Sequence, residues 1–232
     1  LKSFFIQPDL FLRVRPGKLK SIEERLNAQG ISYELVSSET LRLSNNTKVN
    51  ELLEINNEIV VQDLNSQRVG EFMCDIIQPG TAVWDCCAAS GGKSLMAYDI
   101  NPRLELIVSD IRESIQHNLE KRFQAAGLKK YEKFVADLSK DKVVLPVSSS
   151  FVFIIADVPC TGSGTWSRTP EQLTFFEIEK LANYAALQKK IIANAIRQLK
   201  SGGHLLYITC SVFKEENEMQ IDYIKEKFHL RV

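Results

Sequence analysis

The chain has 232 residues, enough to bury one good core with a small appended unit. Its residues are 44% hydrophobic and 25% charged, as in a globular protein, and 29 basic residues balance 29 acidic ones. That balance argues neither for nor against a nucleic-acid partner, because a local basic patch can bind phosphate at zero total charge. No run of 18 apolar residues would cross a membrane, and no signal-peptide pattern opens the chain. The first residue is Leu1, so a natural start is expected to precede it.

Five cysteines, two of them adjacent, make a poor disulfide framework, and neither Cys-x2-Cys nor His-x3-His spacing occurs. The expectation is a reducing cytoplasmic compartment and no metal.

Residues 11–46 read as a small α+β unit. FLRVR alternates as a strand does, and Leu19, Ile22 and Leu26 mark a helix face closed by Gly30. ISYELV and TLRLS follow as strands, a β-α-β-β order that is half of a split βαβ sandwich. Arg13, Arg15, Lys18 and Lys20 are its basic cluster, readable equally as a solvated rim or as a phosphate-contacting face.

A bridge follows: a strand in EIVVQ, then a helix over 65–77 with Val69, Phe72, Met73 and Ile76 on one face and Cys74 in the core. Pro79-Gly80 stops it.

From there the alternation of strand and helix is regular. AVWDC leads into a glycine turn, and LELIVSD ends in Asp110 before a helix from 114 closed by Gly127. KFVA ends at Asp137, and a loop with Pro146, Ser148, Ser149 and Ser150 leads to FVFIIAD, which ends at Asp157. A long helix over 177–200 carries Ile178, Leu181, Ala185, Ile192, Ala195 and Leu199 and stops at Ser201-Gly202-Gly203. HLLYIT then ends at Cys210, 217–228 reads as a last helix, and His229 to Val232 read as the start of a sixth strand.

Near-continuous apolar strands alternating with helices imply a parallel sheet covered on both faces. Right-handed crossovers place every strand's carboxyl end on one edge, so Asp85, Asp110, Asp137, Asp157 and Cys210 converge there.

In VWDCCAASGGKS a strand meets a helix at a tight turn, the place where an α/β sheet binds its cofactor. The turn lacks G-x-x-x-x-G-K-[ST] and the spaced glycines of a dinucleotide fingerprint. Asp110, closing the second strand, suits a ribose with two free hydroxyls. A single nucleoside without phosphate, S-adenosylmethionine, fits best. Strand-end aspartates also serve as plain helix caps, and the weight rests on four of them together. DVPCTGSG puts Cys160 after the fourth strand and ITCSVFKEENE puts Cys210 after the fifth, on adjacent loops. A lone cysteine is usually a small buried apolar residue. Two beyond strand ends among polar residues point to reactive thiols.

VQDLNSQ, DCCAASGGKS, DVPCTGSGTWSRTPE and TCSVFKEENE, in this order over 61–218, resemble the Sun/Fmu family of RNA cytosine-5 methyltransferases. The resemblance implies an α/β, Rossmann-like class I methyltransferase that uses S-adenosylmethionine. It divides the chain into a small α+β, RRM-like domain at 1–60 and a catalytic domain at 61–232, with the family's last hairpin missing. The family's motifs carry the cofactor site onto Cys87, Ala88, Ala89, Ser90, Gly91, Gly92 and Lys93, with Asp110, Asp137 and Asp157. Cys210 becomes the nucleophile that adds to C6 of cytosine, Cys160 the residue that assists breakdown of the adduct, and Asp157 the acid near N3. Thiolate addition is needed because C5 is too poor a nucleophile to take a methyl group unaided.

The partner implied is RNA, ribosomal first and transfer RNA second, with the target base unstacked, no membrane, and a monomeric protein. Ser90 stands where the family has proline, Trp84 and Cys86 are unusual neighbours, and Arg168-Thr169-Pro170 replaces arginine-asparagine-proline. Two alternatives stay open: a DNA cytosine-5 methyltransferase with Cys160 as nucleophile, and a non-catalytic RNA-binding scaffold. An adenine amino-methyltransferase ranks low, because DVPC offers no aromatic platform.

Overall fold

The computed structural model describes residues 5–141, 143–146 and 150–232; Ser148 and Ser149 of the serine loop lie outside them. The first unit runs β1 (Leu10–Val14), α1 (Leu19–Ala28), β2 (Tyr33–Ser37), β3 (Thr40–Leu43) and β4 (Ile59–Val61). Its sheet order is β2-β3-β1-β4, antiparallel throughout. Alternate residues Leu12, Val14, Leu41 and Leu43 meet Ile22 and Leu26 of α1 in a closed core. The strand read in EIVVQ is therefore the fourth strand of this sheet.

Neither reading of the basic cluster holds for Arg13 and Arg15. Both are buried, at 5% and 9% exposure, and both bond to Asp99 of the large unit. A guanidinium this deep must spend its donors on protein acceptors, so these two face inward.

The bridge is not one helix. α2 (Leu64–Arg68) passes into a tighter turn at Val69–Phe72. Gly70 lies at the break, and a Cβ there would stand 3.0 Å from Met96 Sδ. A larger residue there would press on the Met96 side chain, and glycine is itself a poor helix former. Met73 is buried as expected, but Phe72 is 65% exposed and Cys74 is also exposed.

The large unit runs β5 (Ala82–Asp85), α3 (Gly92–Ile100), β6 (Glu105–Asp110), α4 (Glu113–Ala125), β7 (Glu132–Val135) and β8 (Phe151–Asp157). It continues with α5 (Gln172–Phe175), α6 (Ile178–Ile196), β9 (Leu199–Ile208) and α7 (Glu218–Phe228). Its five-stranded sheet is parallel, in the order β7-β6-β5-β8-β9. Successive side chains go to opposite faces. Val83, Leu106, Val108, Phe153 and Ile155 pack with Leu95, Leu119 and Phe123 of α3 and α4. Trp84, Ile107, Ile154 and Ala156 pack with Ile191, Ile192 and Ile224 of α6 and α7. Both faces are covered, which is why these strands read as continuous apolar runs.

Two element ends and one buried position differ from the sequence reading. α6 ends at Ile196, and Ser201-Gly202-Gly203 form a bulge inside β9, where Phe151 pairs Leu199 but Phe153 pairs His204. Ile178, expected on the buried face, is 62% exposed. Residues 229–232 form no strand, since His229 at φ 55° caps α7 instead. Among the described residues no helix is long and apolar enough to cross a membrane.

The order of the large sheet reverses between β5 and β8, the strands that run first and fourth. A crevice therefore opens outside their carboxyl ends, flanked by β6 and β9.

Candidate active site

The turn after β5 is held through its own N–H groups, two to β6 and one within the turn. Ala88 N–H donates to Ser109 O at 2.9 Å, Gly91 N–H to Ala88 O at 2.8 Å, and Ala89 N–H to Asp110 Oδ2 at 2.9 Å. The turn therefore closes with serine at position 90. Gly91 has φ +82°, and a Cβ there would meet Phe123 Cε1 at 2.6 Å, so backbone and packing both require glycine. Trp84 is buried and its indole N–H reaches Ser109 Oγ at 3.0 Å. Cys86 packs in the same core.

The strand-end aspartates divide. Asp85 turns inward at 1% exposure and accepts from Ser94 Oγ at 2.6 Å, tying α3 to β5. Burial pushes its pKa up to about 7. Asp110, Asp137 and Asp157 all line a cleft of about 460 Å³, together with Cys87, Ala89, Cys160 and Cys210. Burial works against the Asp110 carboxylate, yet bonds from the Arg112 side chain and N–H and from Ala89 N–H outweigh it and leave its pKa below the ordinary value. Asp137 is lowered by the hydroxyl and the N–H of Ser139, the latter at 3.0 Å.

The apolar walls are Ile111, Leu138, Leu187 and Ile191. Sequence reasoning passed these over. Ile111 was findable as a large apolar residue just past a strand end, whereas Leu187 and Ile191 look like ordinary helix-face residues. Carboxylates that accept hydroxyls, beside apolar walls and in a volume of this size, fit a nucleoside cofactor. Ala88, Ser90, Gly91, Gly92 and Lys93 frame the turn without lining the cleft. Lys93 Nζ reaches Asp157 Oδ2 at 3.1 Å and Ser66 Oγ at 2.6 Å, so VQDLNSQ supports the far side of Asp157.

The two thiols meet at the mouth of the crevice, with Cys160 Sγ 3.3 Å from Cys210 Sγ. At this distance either sulfur can donate its proton to the other. The S–H of Cys210 and the N–H groups of Gly162 and Cys210 overcome burial and bring the Cys160 pKa down to about 7, while Cys210, holding that proton, is pushed up. Two seams join their loops. Gly164 N–H donates to Cys210 O at 2.8 Å, so close that a Cβ on Gly164 would stand 2.9 Å from that oxygen. Val212 N–H donates to Ser163 Oγ at 2.9 Å. Phe176 and Phe213 stack at 5.4 Å against Trp166 beside these seams. Arg168 pairs with Asp63, Nε to Oδ1 at 2.8 Å, which binds the loop beyond Cys160 to the bridge.

The model of the family described as 16S rRNA methyltransferase RsmB/F matches residues 73–230. Ribosomal RNA small subunit methyltransferase B of Xanthomonas campestris pv. campestris is 28% identical over 218 residues, 92% of this chain and 49% of that protein. The chain thus spans about half the length of this relative. Among solved structures, a methyltransferase homolog protein from Pyrococcus horikoshii is similar at a TM-score of 0.77 and 24% identity, over 97% of this chain and 72% of that one. NSun6 from the same organism, with SFG, is similar at a TM-score of 0.79 and 17% identity, over 97% and 82%. At these identities the two structures attest a shared fold.

Proposed function

We propose, from the premise that the chain belongs to the 16S rRNA methyltransferase RsmB/F family, that it carries the catalytic part of an S-adenosylmethionine-dependent RNA cytosine-5 methyltransferase. Its substrate is small-subunit ribosomal RNA, and its place is the cytoplasm. The division into an RNA-binding domain at 1–60 and a catalytic domain at 61–232 belongs to the same reading. The observation that carries it is the 3.3 Å approach of two thiols inside a cleft lined by three strand-end aspartates.

Asp110 and Asp137 hold the ribose and base of the cofactor, with Ile111 and Leu138 against its apolar faces. The SFG of the NSun6 structure is in keeping with a ligand of this kind. Bound S-adenosylmethionine supplies an electrophilic methyl group.

The chain's own residues do the rest. Cys160 takes the Cys210 proton along their contact, and the Cys210 thiolate forms a bond to C6 of an unstacked cytosine. Asp157, with the Lys93 ammonium beside it, presents the acidic group for N3, where charge develops. Once C5 carries the methyl group it gives its proton to solvent water, the electron pair left behind re-forms the C5–C6 double bond as the C6–S bond breaks, and N3 gives its proton back to Asp157. Cys160 then returns a proton to the Cys210 sulfur as it leaves.

The lowered pKa of Cys160 favours one competing reading, in which Cys160 is itself the nucleophile. The variants described in the Discussion separate the two. The function is tested by incubating the protein with methyl-labelled cofactor and small-subunit rRNA from a strain lacking it, then mapping 5-methylcytosine. Label at one cytosine is expected; no label in naked or assembled rRNA would overturn the proposal.

A further inference from the structure

Glu216 lies inside the TCSVFKEENE block, where the reading of the sequence assigns it no role of its own, yet it is 0% exposed beneath the reacting cysteines. Its Oε1 accepts from Thr161 N–H at 2.9 Å and from Gln188 Nε2 at 3.0 Å, and its Oε2 accepts from Thr161 Oγ1 at 2.6 Å. All three donors are neutral. Gln188, also 0% exposed, donates in addition to Pro159 O at 2.9 Å. The peptides on both sides of Cys160 are thus held, Pro159 by Gln188 and Thr161 by Glu216. Glu216 lies in the short turn Lys214–Glu216, on the same loop as Cys210. Tyr207, on the strand that delivers Cys210, donates to the Glu216 backbone oxygen at 2.7 Å.

Burying a carboxylate among neutral donors is costlier than burying an amide of the same shape. Three donors converging on one side chain explain the choice in part, since a glutamine would aim its own NH₂ at one of them. We propose that Glu216 is a positioning residue for methyl transfer, acting through Thr161 to hold the Cys160 sulfur against that of Cys210.

This rests on the reading of the two cysteines as the reacting pair. Held there, the carboxylate also faces Cys160 with a negative charge that disfavours its thiolate.

The test is Glu216→Gln, a near-isosteric change that removes the charge. Three readouts are needed: kcat and KM for rRNA methylation, the thermal midpoint, and the pH dependence of iodoacetamide alkylation at each cysteine, resolved by mass spectrometry. A cooperative melt is expected, with KM for RNA unchanged and kcat lower by about 10-fold or more, since small misplacements of reacting groups cost this much. The Cys160 alkylation midpoint should move to lower pH, a change a merely structural residue would not cause. Should Glu216→Gln fold poorly, Thr161→Val removes the hydroxyl that donates to Glu216, together with its longer contacts to Ser163 and Ser211 at 3.2 and 3.3 Å, and should lower kcat in the same direction. A folded variant with kcat within about two-fold of the parent and an unmoved alkylation profile overturns the proposal. Alkylation needs no RNA, so failure of the wild-type chain to methylate would sink the functional reading and still leave this contact tested.

Discussion

Arg13 on β1 meets Asp99 on α3, Nη1 to Oδ2 at 2.6 Å, with side-chain exposures of 6% and 5%. Arg15 shares the carboxylate through Nη2 at 2.7 Å and also donates to Ala126 O at 2.9 Å. A buried carboxylate thus joins the first unit to the helix that starts at the glycine turn, and the fit between the two units depends on it. Asp99→Ala leaves two buried guanidinium groups without their shared anion. It should lower unfolding stability by about 3–5 kcal/mol, read as a fall in the guanidinium chloride midpoint. Replacing Arg13, Arg15 and Asp99 together by leucine or methionine should cost far less. Equal losses from the single and triple changes would refute this account of the interface.

The thiol pair separates nucleophile from helper. Cys210→Ala should abolish methyl transfer. Cys160→Ala should leave a protein–RNA adduct that survives a denaturing gel, because the group that returns the proton is gone. If the adduct forms instead in Cys210→Ala, the roles are reversed and Cys160 is the nucleophile.

Asp85 makes stability fall as pH rises. Its folded pKa of about 7 lies above its ordinary 3.8, so between these values the folded state binds the proton more tightly than the unfolded chain does. The stabilisation is whole below about pH 4 and is lost on the way up through pH 7, at up to about 1.4 kcal/mol per pH unit. Asp85→Asn keeps an acceptor for Ser94 and removes the titration. Its urea midpoint should therefore exceed the parent's at pH 8 and approach it at pH 5. An unchanged difference between the two pH values would show that Asp85 does not titrate in this window.

Two neighbouring glycines should respond differently to alanine. Gly91→Ala puts a Cβ 2.6 Å from Phe123 in a left-handed backbone, which costs about 1–3 kcal/mol from overpacking with the backbone strain added. Gly92→Ala meets only the end of the Arg122 side chain, at 3.2 Å, and lies in a helix where alanine is favoured. Its effect should be within about 0.5 kcal/mol of zero or stabilising. Chemical denaturation of the two variants side by side checks this; similar losses would mean that Gly92 has a constraint of its own.

Much of this protein could be read along the chain because the signals are local. Periodicity marked every strand of the large sheet, and the chirality of crossovers then obliged Asp110, Asp137, Asp157 and the two thiol loops to share one edge. Where a long-range contact outweighed local preference, the reading failed. The well-patterned helix breaks at Gly70, which packs on Met96 of another element, and Ser201-Gly202-Gly203 became a bulge because β9 pairs with β8 on both sides of it. Arg13 and Arg15 looked like surface charges because their partner lies on another unit, at sequence distances of 86 and 84. What the sequence determined by itself was the layered architecture and which residues stand at the carboxyl edge, since these follow from repeat spacing and chain handedness. Only the tertiary structure decided that Asp85 turns inward, that the two sulfurs touch, and that Glu216 lies beneath them. Burial, charge pairing and contact between loops are properties of neighbours in space, and no spacing along the chain encodes them.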